Sequence, residues 1–318
     1  MSKDVILIIG SNGQLGTVLS EELRKIYGDP YVITSDLFKR IDSVDNFIKL
    51  DATDFKAVED VVVKNKITQI YHLAAILSAK GEQNPLATWD LNMKTLFNVL
   101  EVSRLHKVEK VFFPSSIAVF GNNVDKENTL QSSNLTPSSV YGMSKVAGEN
   151  WAHYYYVKYG LDVRSLRYPG VIGYQSLPGG GTTDYAVGIY HEAIKNVEFD
   201  CFLAAKTTLP MIYMDDAIRA TLELMEAPKE SISIRTSYNI AGMSFNPEEI
   251  AFSIKEHYPD FKIKYNPDFR QTIADSWPKN INDSHARNDW SWKPAYNLKA
   301  MTKIMIENLK WIIPKSCV

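Results

Sequence analysis

The chain has 318 residues, 45% of them hydrophobic and 23% charged, which suits one large unit or a large domain with a smaller companion and excludes a staple-dependent miniprotein. Lysine and arginine total 35 against 37 Asp and Glu, so there is no excess positive field to gather a nucleic-acid backbone, and no apolar run approaches the roughly 18 residues of a membrane span. Cys201 and Cys317, far apart, fit neither a disulfide framework nor a four-ligand metal site, and residues 1–4 lack a signal-peptide layout, so a cytoplasmic protein acting on a small molecule is expected. In chain order, residues 5–9, 31–34, 67–72, 108–113 and 161–167 read as buried β-branched strands, with another strand-like run before Asp51. Residues 14–27, 55–64, 85–105 and 138–159 carry apolar side chains at helical spacing between them. This alternation predicts an α/β fold, a doubly wound parallel sheet. Beyond Tyr168-Pro169-Gly170 the pattern loosens into turn-rich segments, with an amphipathic stretch at 214–225, a strand at 238–241 and helices at 247–257 and 298–312.

Gly10-Ser11-Asn12-Gly13-Gln14-Leu15-Gly16 follows the first strand and opens a helix, where bare backbone can approach a pyrophosphate and the helix terminus favours its charge. Asp36 ends the second strand 20 residues after Gly16, where a carboxylate can accept hydrogen bonds from an adenosine ribose. A 2'-phosphate there would meet a like charge, so NAD is expected over NADP, with Lys39 and Arg40 close by as the counter-argument. Asp51 and Ala52 either meet the adenine edge or sit in a solvated loop. The three-and-three glycine spacing, together with His72-Leu73-Ala74-Ala75, is similar to the extended branch of the short-chain dehydrogenase/reductase superfamily, the NAD-dependent epimerases and dehydratases. The resemblance implies cofactor contacts from Gly10, Asn12, Gly13, Gln14, Leu15, Gly16, Asp36, Asp51, Ala52, Leu73, Ala74, Ala75, Tyr141, Lys145, Tyr168 and Ile172. It divides the chain into an NAD-binding domain, residues 1–168 with 210–242 returning to it, and a substrate-binding lobe made mainly of 169–209 and 243–318.

Tyr141 and Lys145 lie one helical turn apart, where a cation can lower a phenol's pKa and make it a proton acceptor. Tyr154 with Lys158 and Tyr258 with Lys262 share that spacing, so spacing alone does not decide. Ser115-Ser116 closes the fifth strand, and ligands of doubly wound sheets lie at the carboxyl ends of strands. That favours Ser116, Tyr141 and Lys145, which also match the catalytic pattern of the extended short-chain enzymes residue by residue. The histidines have no ligand spacing, and no metal is expected.

Nucleotide-sugar epimerases and dehydratases are the natural rivals. They commonly clamp a diphosphate with an arginine before a strand end that corresponds here to Leu209–Asp216, and Leu209 cannot bind phosphate. Residues 168–172, 178–187, 276–279 and 283–287 instead resemble the short-chain family of L-threonine 3-dehydrogenases over essentially the whole chain. The resemblance implies oxidation of the β-hydroxyl of L-threonine, with substrate contacts from Ser78, Ser115, Ser116, Tyr141, Gly180, Thr182, Thr183, Asp184 and Trp277. Glycine amides and the two threonine hydroxyls would meet the carboxylate, Asp184 the ammonium, and Trp277 would close an apolar wall. In similar enzymes the helices corresponding to 85–105 and 138–159 pair across a two-fold axis, so a homodimer is expected.

Overall fold

The structure, a computed structural model, describes residues 4–40 and 46–313; residues 1–3 and Cys317 lie outside the described residues. Strands β1 (Ile6–Ile9), β2 (Val32–Asp36), β3 (Phe47–Lys49), β4 (Gln69–His72), β5 (Lys110–Ser116) and β6 (Asp162–Tyr168) alternate with helices α1 (Gln14–Tyr27), α2 (Phe55–Asn65), α3 (Ser78–Gly81), α4 (Pro85–Leu105) and α5 (Val140–Tyr159). Then come β7 (Gly170–Ile172), α6 (Tyr185–Ile194), β8 (Phe199–Cys201), β9 (Leu209–Tyr213), α7 (Met214–Glu226), β10 (Tyr238–Asn239), β11 (Met243–Phe245), α8 (Pro247–Lys255), β12 (Ile263–Tyr265), α9 (Phe269–Asp275), α10 (Ser284–Trp290) and α11 (Leu298–Ile312).

Seven strands form one sheet in the order β10-β6-β5-β4-β1-β2-β3, with every pairing parallel. The chain runs outward from β1 to β3, then returns to place β4 on the other side of β1. That reversal opens a crevice at the carboxyl ends of β1 and β4. Side chains alternate between the faces: Ile6, Ile8 and Val32 pack on α1 and α7, while Leu7, Ile9 and Ile33 face α2, α4 and α5. Both faces are covered, which is why these strands read as continuous apolar runs rather than alternating ones.

The chain after residue 169 is more ordered than its turn-rich sequence predicts. It contains β7, α6, β8 and β9. In α6 seven of ten residues are buried, so the helix is apolar nearly all round and has no stripe to read. Packed against α8 and α11, it forms a separate core with Tyr190, Ile250 and Met305. α7 returns to the large sheet, where Arg164 Nη1 donates to the carbonyls of Leu224 (2.6 Å) and Ala227 (2.7 Å) at its carboxyl end. Trp290 of α10 also packs on that face, edge-on to Tyr238 of β10. Among the described residues, no helix is long and apolar enough to cross a membrane.

Candidate active site

At the crevice, Gly10 leaves β1 with φ +87°, and a Cβ there would lie 2.6 Å from the Ala74 nitrogen beyond β4. A Cβ on Gly16 would lie 2.5 Å from the Gly10 carbonyl oxygen, so only glycine lets α1 press against the loop. Asn84 and Ser139 cap α4 and α5 with side-chain acceptors, but α1 begins after Gly13 with no side-chain cap. Its first N–H groups are thus left for an external anion. Asp36 borders the same loop: its Oδ2 accepts from Asn12 N at 3.0 Å and its Oδ1 from Leu37 N at 2.8 Å. Bare backbone, an uncapped helix start and a flanking carboxylate fit a nicotinamide dinucleotide.

A cavity of about 230 Å³ continues from this loop along the strand ends. Gly10, Gly13, Gln14, Leu15, Gly16, Leu73, Ala75, Tyr141, Lys145 and Tyr168, all read from the sequence as cofactor contacts, line it. Asn12, Asp36, Asp51, Ala52, Ala74 and Ile172 are not in its lining. Asp51 is exposed and accepts from Thr53, whose N and Oγ1 donate at 2.9 and 2.8 Å. Ala52 is buried under α4, its carbonyl bonded to Asn98, and Ile172 is buried beside Tyr213.

Ser116, Tyr141 and Lys145 meet because α5 crosses the end of β5 at very short range. A Cβ on Gly142 would lie 2.1 Å from the Ala118 carbonyl oxygen, so Tyr141 can reach Ser116 only with glycine beside it. Two acceptors fix that end of α5: Ser139 Oγ takes Gly142 N at 3.1 Å, and Glu82 Oε1 takes Val140 N at 2.9 Å. The Tyr141 hydroxyl faces Ser116 across the end of β5. Lys145 is buried, its Nζ 4.6 Å from the centre of the Phe113 ring and 5.4 Å from that of Tyr141. The competing pairs lie elsewhere: Lys158 donates to Tyr154 at 2.6 Å on the surface, and Lys262 is exposed.

The electrostatics differ from the sequence expectation in one respect. Burial pushes the Tyr141 phenol up to about 12, with the Ser116 hydrogen bond opposing it, so in the protein alone the lysine does not make the phenol acidic. Burial also brings Lys145 down to about 7, against the pull of Glu149. His72, behind them, is held down to about 3 by burial and then by Lys145, and so is neutral.

The opposite wall comes from distant segments. Ser78, Thr182, Thr183, Asp184 and Trp277 line the cavity, and the Ser78 and Thr182 hydroxyls are 3.2 Å apart. The glycine amides are not free for a carboxylate as expected: Gly180 N and Gly181 N both donate to Asp184 Oδ2 at 2.8 Å. Gly180 itself is not in the lining. Ser115 lines the cavity, but its hydroxyl donates to Glu149 at 2.5 Å and so is turned away from a substrate. Trp277 is 4% exposed, and its indole N–H has no hydrogen-bond partner among the described residues. Ser276 Oγ, 2.7 Å from Ser138 Oγ, ties this tryptophan to the start of α5.

Sequence reasoning missed Leu77, Pro114, Ile117, Pro169, Gly170 and Val171 in the lining, all of which contribute backbone or apolar surface without a chemical signature. It also missed the pair Glu149 and Arg167. A charged residue in a strand-like run was the available signal, since a buried charge requires a partner.

Residues 6–241 match the model of the NAD dependent epimerase/dehydratase family. The L-threonine 3-dehydrogenase, mitochondrial, of Bos taurus is 48% identical over 305 residues, covering 95% of this chain and 81% of its own. The holo form of the GalE-like L-threonine dehydrogenase from Cupriavidus necator superposes with a TM-score of 0.95 at 51% identity, covering 96% of this chain and 100% of that one. A monomeric L-threonine 3-dehydrogenase from a metagenome gives a TM-score of 0.95 at 47% identity, covering 97% and 99%. With its glycine loop, strand-end serine and Tyr-Lys pair in place, the chain belongs to the NAD dependent epimerase/dehydratase family and groups there with the L-threonine 3-dehydrogenases.

Proposed function

We propose that the protein oxidises the β-hydroxyl of L-threonine to 2-amino-3-oxobutyrate with NAD. The observation that carries this reading is the single cavity with Ser116, Tyr141 and Lys145 on one side and Ser78, Thr182, Thr183, Asp184 and Trp277 on the other. It joins a group for proton removal to hydroxyls for a carboxylate, an acid for an ammonium and an apolar surface for a methyl group. The names of the relatives support the same substrate.

Gly10, Gly13 and Gly16 would cradle the cofactor's pyrophosphate, and Asp36 its adenosine ribose, favouring NAD over NADP. The chemistry supplied by bound NAD is acceptance of hydride from the β-carbon. Ser116 orients the substrate hydroxyl, and Tyr141, once ionised, removes its proton as the carbonyl forms. Lys145 stabilises the phenolate and would hold the nicotinamide ribose. The hydroxyls of Ser78, Thr182 and Thr183 receive the carboxylate, while Asp184 Oδ1 faces the ammonium and Trp277 keeps water out.

The rival reading, a nucleotide-sugar epimerase, lacks its phosphate clamp: Leu209 is buried in the apolar core of the lobe, paired with Phe245. Incubation of the purified protein with NAD and either L-threonine or UDP-sugars, followed by absorbance of the reduced cofactor, separates the two. NADH formation with L-threonine supports the proposal; epimerisation of a UDP-sugar without threonine activity replaces it.

For the assembly we propose a cytoplasmic homodimer through α4 and α5, which leave Trp89, Met143, Trp151, Tyr154 and Val157 exposed. A relative at 47% identity is described as monomeric, so sedimentation at micromolar concentration decides. A species of one chain's mass would end the dimer reading.

A further inference from the structure

We propose that the buried Glu149–Arg167 pair is a positioning unit for the reaction centre, supplying the counter-charge that keeps Lys145 protonated while fixing the strand end that carries Ser116. The proposal rests on the reading of Tyr141 and Lys145 given above.

Glu149 is 0% and Arg167 3% exposed. Glu149 Oε1 accepts from Ser115 Oγ at 2.5 Å and from Arg167 Nε at 3.0 Å, and Oε2 accepts from Arg167 Nη2 at 2.8 Å. Arg167 Nη1 continues to Asn239 Oδ1 and the Gln131 carbonyl, each at 3.1 Å. One carboxylate therefore joins α5, which carries Tyr141 and Lys145, to the ends of β5 and β6. Stability is a weak reason to build it, because desolvating two charges offsets most of what their attraction returns.

Its position suggests the use. Glu149 lies one helical turn beyond Lys145 and two beyond Tyr141, which places all three on one side of α5. Around Lys145 stand Tyr141 and Glu149 from its own helix, the Phe113 ring and, beyond it, Ser115 and Ser116 from β5, neutral His72 from β4, and Arg167 from β6 behind Glu149. Glu149 is the anion in this set. The Arg167 fork and Ser115 hold its carboxylate in place, so it attracts Lys145 without seizing it, and Lys145 still lines the cavity.

The test reads Lys145 directly in the ligand-free protein. Competitive acetylation with acetic anhydride across a pH series, quantified at Lys145 by mass spectrometry, gives the titration midpoint of the amine. The parent should titrate near neutrality. Glu149→Gln should lower the midpoint by about one unit or more, because it removes the anion and leaves Arg167 uncompensated. The double variant Glu149→Gln/Arg167→Met leaves no unpaired charge in the core and should lower it by less.

An ordinary lysine midpoint in the parent, near about 10.4, overturns the proposal. Midpoints that coincide in all three proteins, even with lower melting temperatures, also overturn it and make the pair purely structural. If Glu149→Gln fails to fold, the double variant decides, and a double variant that cannot fold makes the pair a folding element and ends the proposal. Absence of L-threonine oxidation by the parent would defeat the functional reading alone, because acetylation needs no substrate.

Discussion

The two walls of the cavity are built differently. The cofactor wall consists of turns that leave adjacent parallel strands, so its backbone is positioned by the sheet: Gly10 N and Ser11 N donate to the Ser35 carbonyl of the neighbouring strand at 2.9 and 3.0 Å. The substrate wall is not part of the large sheet, although Thr183 packs against Gly170 of β7. Residues 78, 182–184 and 277 are held there by side chains: Ser78 to Thr182, Asp184 to two glycine amides, and Ser138 to Ser276. Loss of one side chain should therefore leave the cofactor wall's shape intact but loosen the substrate wall. The Tyr141–Lys145 pair on α5 stands between them, anchored to both.

The largest expected effect is at that junction. Tyr141→Phe should lower turnover by about a hundredfold or more, as loss of a general base does, with NAD affinity by fluorescence titration almost unchanged. Parent activity should rise with pH, because a phenol raised by burial is protonated at neutrality and ionises only as pH increases. The residual activity of Tyr141→Phe should lack that rise. If Tyr154→Phe were the inactivating change, the junction would be misplaced.

Asp184→Ala tests the substrate wall. It removes two charge-assisted hydrogen bonds from the glycine loop, for an expected loss of about 2 kcal/mol, or roughly thirtyfold in the KM for L-threonine. NAD binding should not change; an equal loss of NAD affinity would mean that the walls are not independent. Asp36→Ala is the converse. NAD affinity should fall by about tenfold, the NAD-to-NADP preference should shrink, and the KM for L-threonine should hold. An unchanged cofactor ratio in steady-state kinetics would remove Asp36 from the site. The smallest effect is expected for Ser276→Ala, which removes the bond to Ser138 and, with it, a local bond to the Ile273 carbonyl; the tie of Trp277 to α5 is one neutral hydrogen bond. That is about 1 kcal/mol, roughly a fivefold rise in KM, and an unchanged KM would show that Trp277 holds its place by packing alone.

The same contrast explains what could be read in advance. The sheet, the glycine loop and the Tyr-Lys helix were legible because each is a local pattern: apolar runs for strands covered on both faces, glycines where backbones touch, and a four-residue spacing on a helix. The bounds of α1, α4 and α11 agree with their sequence periodicity. α6 was not legible, since a helix buried nearly all round has no polar face to mark its period. The seven-residue helices α9 and α10 are too short to display one.

The sequence alone thus determined the doubly wound fold, and it pointed to the strand ends for a dinucleotide and to Ser116 and Tyr141 from their places on those elements. Only the tertiary structure decided how the polar groups are spent. Ser115 turns to Glu149, and the amides of Gly180 and Gly181 turn to Asp184, although all three read as substrate contacts. The phenol of Tyr141 is raised rather than lowered. The physical reason is common to these cases: hydrogen-bond partners and desolvation depend on what other segments bring within a few ångströms, and local residue patterns do not encode those distances.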